Sequence, residues 1–291
     1  MSGRPDLARA ALAAARKVRI ASGTPADVPL CVFDLIQQHY SDTIDLRFKA
    51  APSLEGLYVR GDGVASLIIL SSERPSGRQR WTCAHELGHH EFGHGTRLDE
   101  LVDQQSETKF DADEFSADCF AGFLLMPKLA VMGALATRNL TAEAAQALDL
   151  YRIACVFGVG YSTLVQHLSR GLNLISRGRA ALLSKTTPKD IRELVLGSPP
   201  SAPLHIVDTA WKGRAIDVHT EDLLLLPRGT SVEGGRLDLL EKRPNGDLYR
   251  ASSPGVGRVE HAQSQMSNYL RVARAGYQGR GMFRHEEESD E

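Results

Sequence analysis

An α+β fold is predicted by three features: helical patterning at the start, a cluster of short strand-like segments, and two further helices that hold the ligand-type residues. The first helix is read over Leu7 to Val18, where apolar residues recur at helical spacing and Arg9, Arg16 and Lys17 interrupt the alanines. The stretch "DVPLCVFDLIQQHY" repeats the pattern with Leu30, Phe33, Leu35 and Ile36 and ends near Tyr40. The segments "IDLRFKA", "GLYVRG" and "ASLIIL" are rich in strand formers and are separated by "APS" and "GDG", which predicts a small antiparallel meander. "SSERPSGRQ" breaks the sheet. A helix follows from about Gly77 to Phe92, then a polar loop, then a helix from about Glu107 to Leu125 that stops at Pro127.

Beyond Asn139 the pattern is helical up to about Ser176. One helix, a Gly158-Val159-Gly160 turn and a second helix capped by Ser162 are expected there. A short helix from Lys189 leads through "GSPPSAP" into the strand-like pieces "LHIVD", "AIDVH", "DLLLLP" and "DLYRA". The expected domains are therefore 1–135, 136–187 and 188–280, with 281–291 as a disordered acidic tail. No internal repeat is present.

Composition excludes several classes. The chain has 291 residues, 42% hydrophobic, with a formal net charge of -2, so no excess of basic residues announces nucleic acid. Its longest apolar runs fall far short of the roughly 20 residues that cross a bilayer, and its N-terminus lacks the unbroken apolar centre of a secretory signal. Cys31, Cys83, Cys119 and Cys155 are widely spaced, which argues against a disulfide framework and a cysteine zinc site and suits a cytoplasmic location.

The decapeptide "HELGHHEFGH", residues 85 to 94, holds four histidines and two glutamates. Histidines four apart on a helix lie on one face a turn apart, so His85 and His89 can aim at one point, with Glu86 beside them as a general base. The apolar stripe Trp81, Ala84, Gly88, Phe92 puts the pair at a border between core and solvent, where a catalytic metal keeps an open position for water. A hydrolytic zinc wants a third protein ligand. Position 95 is Gly95, which removes a histidine ten residues after the first. In "DADEFSADCFAGFLLMP", Glu114 sits among Phe110, Ala117, Ala121 and Leu125, where a bare carboxylate is costly and a metal would pair it. Asp113 is a weaker competitor. Asp118, one turn on, is placed to hydrogen-bond a ligand histidine and fix its tautomer. His90 and His94 read as solvated surface histidines, and Tyr58 and His90 are the only guesses for an oxyanion donor.

"HELGH" followed by "EFSADCFAGFLLMP" resembles the ImmA/IrrE family of gluzincin-type metallopeptidases. The resemblance implies a zincin-like peptidase domain, a helix-turn-helix-like helical domain and a GAF-like α/β sensor domain. It implies a metalloendopeptidase whose substrate is a helix-turn-helix transcriptional repressor, cleaved to induce a DNA-damage or radiation response. On this reading His85, His89 and Glu114 hold one divalent metal, and Glu86 takes the proton of the attacking water. Two imidazoles and a carboxylate suit zinc first, with manganese or iron also admissible. The segment "ASLIIL" is expected to offer an edge strand to an extended peptide.

The alternative is a DNA-binding transcriptional regulator in which the metal site is structural. Between Arg138 and Lys185 six basic residues stand against two acidic ones, a net charge of +4. A helix-turn-helix would present Ser162, Thr163 and Gln166 to base edges and Arg170 to phosphate. In the last domain Trp211, His205 and His219 form no ligand pattern, and its signal stays unassigned.

Overall fold

The computed structural model describes residues 3–100, 110–200, 202–211 and 214–286. Helices α1 (Arg4–Ala21) and α2 (Val32–His39) precede strands β1 (Ile44–Lys49), β2 (Leu54–Val59) and β3 (Ser66–Ser71). Helix α3 (Ser76–Phe92), strand β4 (Arg97–Glu100) and helices α4 (Ala112–Leu125) and α5 (Lys128–Ala136) complete the first part. Then come α6 (Ala147–Phe157), α7 (Tyr161–Gln166), α8 (Arg177–Leu183) and α9 (Pro188–Leu196). The remaining elements are strands: β5 (Leu204–Ile206), β6 (Ile216–His219), β7 (Leu223–Leu226), β8 (Ser231–Glu233), β9 (Leu237–Arg243), β10 (Gly246–Ala251), β11 (Gly255–His261), β12 (Met266–Ala273) and β13 (Gly279–Arg280). The α+β class expected from the patterning is the observed one.

The first sheet is mixed, in the order β13-β1-β3-β2-β4, and not an antiparallel meander. Strand β3 lies between β1, which it pairs in parallel, and β2, which it pairs antiparallel. The reason is apolar content. "SLIIL" fills the centre, where Ile68 and Leu70 are fully buried, whereas β1 alternates its apolar residues with Asp45, Arg47 and Lys49. With both edges used, β3 has no backbone groups left to take an extended peptide, contrary to the sequence expectation. Among the described strands, β4 and β13 are the edges of this sheet.

Helix α3 packs on β2 and β3 on one side and on α4 on the other. Gly88 allows the close approach to α4, since a Cβ there would lie 3.1 Å from the Ala117 Cα. Helix α1 covers α4 with Ala11, Ala15 and Val18 and buries Arg19, whose guanidinium donates to the Leu124 carbonyl at 2.7 Å. That carbonyl belongs to the last turn of α4, which lacks intrahelical donors.

Helices α6 and α7 meet at a bend of 101°, a helix-turn-helix-like angle, with Gly158 in the left-handed region at φ 64°. The second helix begins at Tyr161 behind Gly160, so Ser162 lies inside it and is not its cap. After Gln166 it continues as one π-helical turn, His167–Gly171. His167 is buried there and donates from Nε2 to the Met126 carbonyl at 3.1 Å, tying this turn to the end of α4. One hydrophobic core runs from α1 through α9 to Leu204, Ile206, Leu225 and Leu248, so the core itself has no break at residue 135.

The last unit, expected to be α/β over 188–280, contains helix α9 and strands β5 to β12. Its strands form two four-stranded sheets, β5-β7-β10-β9 and β6-β12-β11-β8, and among the described residues from 204 to 273 the only helical piece is a 3-10 turn at Ala262–Ser264. A second core including Trp211, Val218, Leu224, Val259 and Leu270 fills it.

The segment read as the start of a disordered tail is partly ordered. Just before it β13 pairs with β1, and within it Arg284 is buried and both Arg284 and His285 reach Asp217. The buried Arg284 and the half-buried His285, both on one carboxylate, override the glycine-rich, charged local sequence; residues 287–291 lie outside the described part, as do 107–109, where the α4 helix was expected to begin.

Candidate metal centre

The site is built from two helices. Helix α3 is almost wholly enclosed: His85, Glu86 and His89 are buried, and so are Gln79, Arg80 and Thr82. Its histidines therefore do not stand at a simple core–solvent border; helix α4 and the sheet close over them, and Glu114 supplies the half-exposed side. Asp111 caps α4, accepting from the backbone N–H of Asp113 at 2.8 Å, which sets the first turn that carries Glu114.

His85 Nε2 and His89 Nε2 lie 3.0 Å apart. The Glu114 carboxylate is 3.2 Å from the first and 3.6 Å from the second. Two ligands of a tetrahedral zinc with bonds of about 2.0–2.1 Å stand roughly 3.3 Å from one another, so these separations suit a single ion. The three side chains form a group whose ligand atoms all lie within 4.8 Å.

The tautomers support the same reading. Asp118 is 3.0 Å from His85 Nδ1 and can only accept, so that nitrogen carries the proton and Nε2 presents a lone pair. His89 Nδ1 is 2.8 Å from His94 Nδ1, and one of the two must donate. Asp113 is 3.4 Å from His94 Nε2 and holds the His94 proton there, while burial lowers the His94 pKa and keeps the ring neutral. The shared proton therefore belongs to His89 Nδ1. His89 Nε2 is then bare as well, and two lone pairs and a carboxylate converge on a place that calls for a cation. Burial pulls the His85 pKa down, but the hydrogen bond to Asp118 and the Asp118 and Glu86 charges outweigh it and raise it, which makes the ring a stronger base.

Glu86 is fully buried beside this group, and β2 comes directly against it. A Cβ on Gly56 would fall 2.2 Å from Glu86 Oε1 and 2.4 Å from Thr82 Cγ2, so only a glycine lets the strand lie there.

Of the residues singled out in the sequence, His85, His89, Glu114 and Asp118 are brought together. Asp113 is not among the three ligand-type groups; it pairs with Arg97 and His94. His94 is no solvated surface histidine: the left-handed Gly93 turns the chain back so that the ring meets His89, at 5.0 Å between centroids. The only signal for this was the glycine at the helix end. His90 is half-buried and packs on Tyr40 and Tyr58. Tyr58 is buried, with its hydroxyl 3.3 Å from His90 Nδ1 and 3.4 Å from Ser66 Oγ.

On α7 and the π-helical turn that follows it, Ser162, Gln166 and Arg170 are exposed and Thr163 is half-buried, while Leu164, Val165 and Leu168 are core. Three of the nearby basic residues are engaged within the protein: Arg138 with Asp208 at 2.7 Å, Arg152 with Asp149 at 3.6 Å, and Arg179 with the Ala145 carbonyl at 2.8 Å.

Residues 42–169 match the family model of the IrrE N-terminal-like domain, peptidase M78. The matched segment contains both helices of the site. No curated protein matches the chain.

Proposed function

We propose, from the match of residues 42–169 to the IrrE N-terminal-like domain, that the chain belongs with the ImmA/IrrE metallopeptidases and is a gluzincin-type metalloendopeptidase acting on a protein substrate. The observation that carries the proposal is the convergence of His85, His89 and Glu114, with Glu86 buried beside them. Bound by those three side chains, a divalent metal, zinc in the first instance, supplies Lewis acidity toward a peptide carbonyl and makes water acidic enough to lose a proton near neutrality. Glu86 accepts that proton and returns it to the leaving amine. Asp118 orients the His85 ring, and the His94–Asp113 pair orients the His89 ring.

The substrate is proposed to be a helix-turn-helix transcriptional repressor, and its cleavage to switch on a DNA-damage response; the family match supports this. A cytoplasmic site of action agrees with four free cysteines, and among the described residues no single helix is long and apolar enough to cross a membrane.

The test is metal content by mass spectrometry together with cleavage of candidate repressors. His85→Ala and Glu114→Ala are expected to lose metal and cleavage together, and Glu86→Gln to keep metal and lose cleavage. Turnover retained in Glu86→Gln would remove the general-base assignment. Metal-free protein that still cleaves would remove the metallopeptidase.

A further inference from the structure

A cavity of about 190 Å³ lies away from the metal group, where α2, α3, the end of α6 and the last β unit come together. Its walls carry Arg80 from α3, Trp211 and Arg214 from the approach to β6, Asp217 from β6, Arg271 from β12 and Asp34 from α2. The charges do not balance. Asp217 faces Arg284 at 2.5 Å, Arg271 at 3.0 Å and Arg80 at 3.6 Å, and Asp34 takes Arg271 at 2.7 Å. His285 completes the shell of Asp217 at 3.0 Å, and burial lowers its pKa toward a neutral ring. Arg80, Arg214 and Arg271 on the wall, with Arg284 reaching Asp217 from outside the lining, are four guanidinium groups against the two carboxylates of Asp34 and Asp217, a local surplus of two positive charges.

Donors are in surplus too. Trp211 is 4% exposed, and among the described residues its indole Nε1 has no hydrogen-bond partner. Arg214 Nη1 and Arg271 Nε are likewise buried without one. Native proteins rarely leave such donors unused, and three on one cavity wall imply an acceptor that belongs there. The Arg214 guanidinium sits 5.5 Å from the centre of the Trp211 ring, which holds it against the wall without neutralising it. Its pKa falls to about 10 through burial and the nearby Arg80 and Arg271 charges.

We propose that this cavity binds a small dianion of the phosphate class. Guanidinium forks match phosphate oxygens in geometry, and a dianion cancels the surplus of two charges. The volume equals roughly six liquid waters at about 30 Å³ each, room for a phosphate group with few further atoms. Arg80 stands on the helix that bears His85 and His89, so the ligand joins the last β unit to the metal helix. This inference stands apart from the peptidase reading and is tested without any cleavage assay.

The experiment is calorimetric titration of the full-length protein with sodium phosphate at constant ionic strength, with sodium chloride as the reference salt. Saturable binding is expected, weakened at least tenfold in Arg214→Gln and in Trp211→Phe, and retained in His85→Ala. Trp211→Phe removes one N–H and keeps the aromatic bulk, so it serves if Arg214→Gln folds poorly. Heats equal to those of chloride would overturn the proposal. So would affinity unchanged in both cavity variants or lost only in His85→Ala, since the phosphate would then sit elsewhere or on the metal.

Discussion

Gly56 decides how near β2 lies to the Glu86 carboxylate, and its role follows from a missing atom. Replacing it with alanine drives a Cβ to 2.2 Å from Glu86 Oε1, so either the strand or the carboxylate must move. Misplacing a catalytic group by about 1 Å can cost about 100-fold in rate. Gly56→Ala is therefore expected to lose about that much cleavage while keeping its metal, as turnover beside metal content will show; full activity would mean Glu86 is not the base. His94 acts one step further out. His94→Leu removes the acceptor for His89 Nδ1–H and should weaken metal affinity about 10- to 100-fold, measured by competition with a chelator. An unchanged affinity would make the His89–His94 contact incidental. The ligand residues themselves were legible because spacing within a helix fixes which side chains share a face. His94 was not, since its position depends on how the chain leaves the helix at Gly93.

At the scale of elements, the end of α4 and the π-helical turn after α7 are fastened by one buried imidazole. Burial pushes the His167 pKa down to about 4 from an ordinary 6.5. Above pH 6.5 the ring is neutral in both folded and unfolded chains. As pH falls below 6.5 the unfolded chain takes a proton that the folded one refuses until about pH 4, so stability is lost across that window. At pH 5 the loss from this group is about 2 kcal/mol. Denaturant midpoints at pH 7 and pH 5 should show it, and His167→Gln, which keeps a donor for the Met126 carbonyl, should have a smaller pH dependence. A variant as acid-sensitive as the wild type would place the titration elsewhere. Helical periodicity accounts for the burial of Leu164, Val165 and Leu168, yet it gives no sign of the π-helical turn or of the start at Tyr161. For β3 the composition indicated a strand correctly, but its central place follows from competition among three strands for the most buried position.

Across the whole molecule the C-terminal stretch closes the structure onto its beginning: β13 pairs with β1, and Arg284 and His285 meet Asp217 beside Arg271 and Arg80. A chain ending at Ala275 removes these contacts and is expected to lose about 1–3 kcal/mol of stability by denaturant titration, because buried Asp217 then keeps fewer of its charged partners. An unchanged midpoint would show that the stretch adds nothing to the fold. By itself the sequence determined the α+β class, the helices of the site and three ligand-type side chains with the tautomer-fixing Asp118, because helical spacing, caps and local apolar pattern are properties of neighbouring residues. Only the tertiary structure decided that Gly56 touches Glu86, that His94 meets His89, that β3 is central, and that six arginine, aspartate and tryptophan side chains from distant segments line one cavity. Those contacts join residues far apart in the chain, and their partners are chosen by how whole elements pack, which no local pattern records.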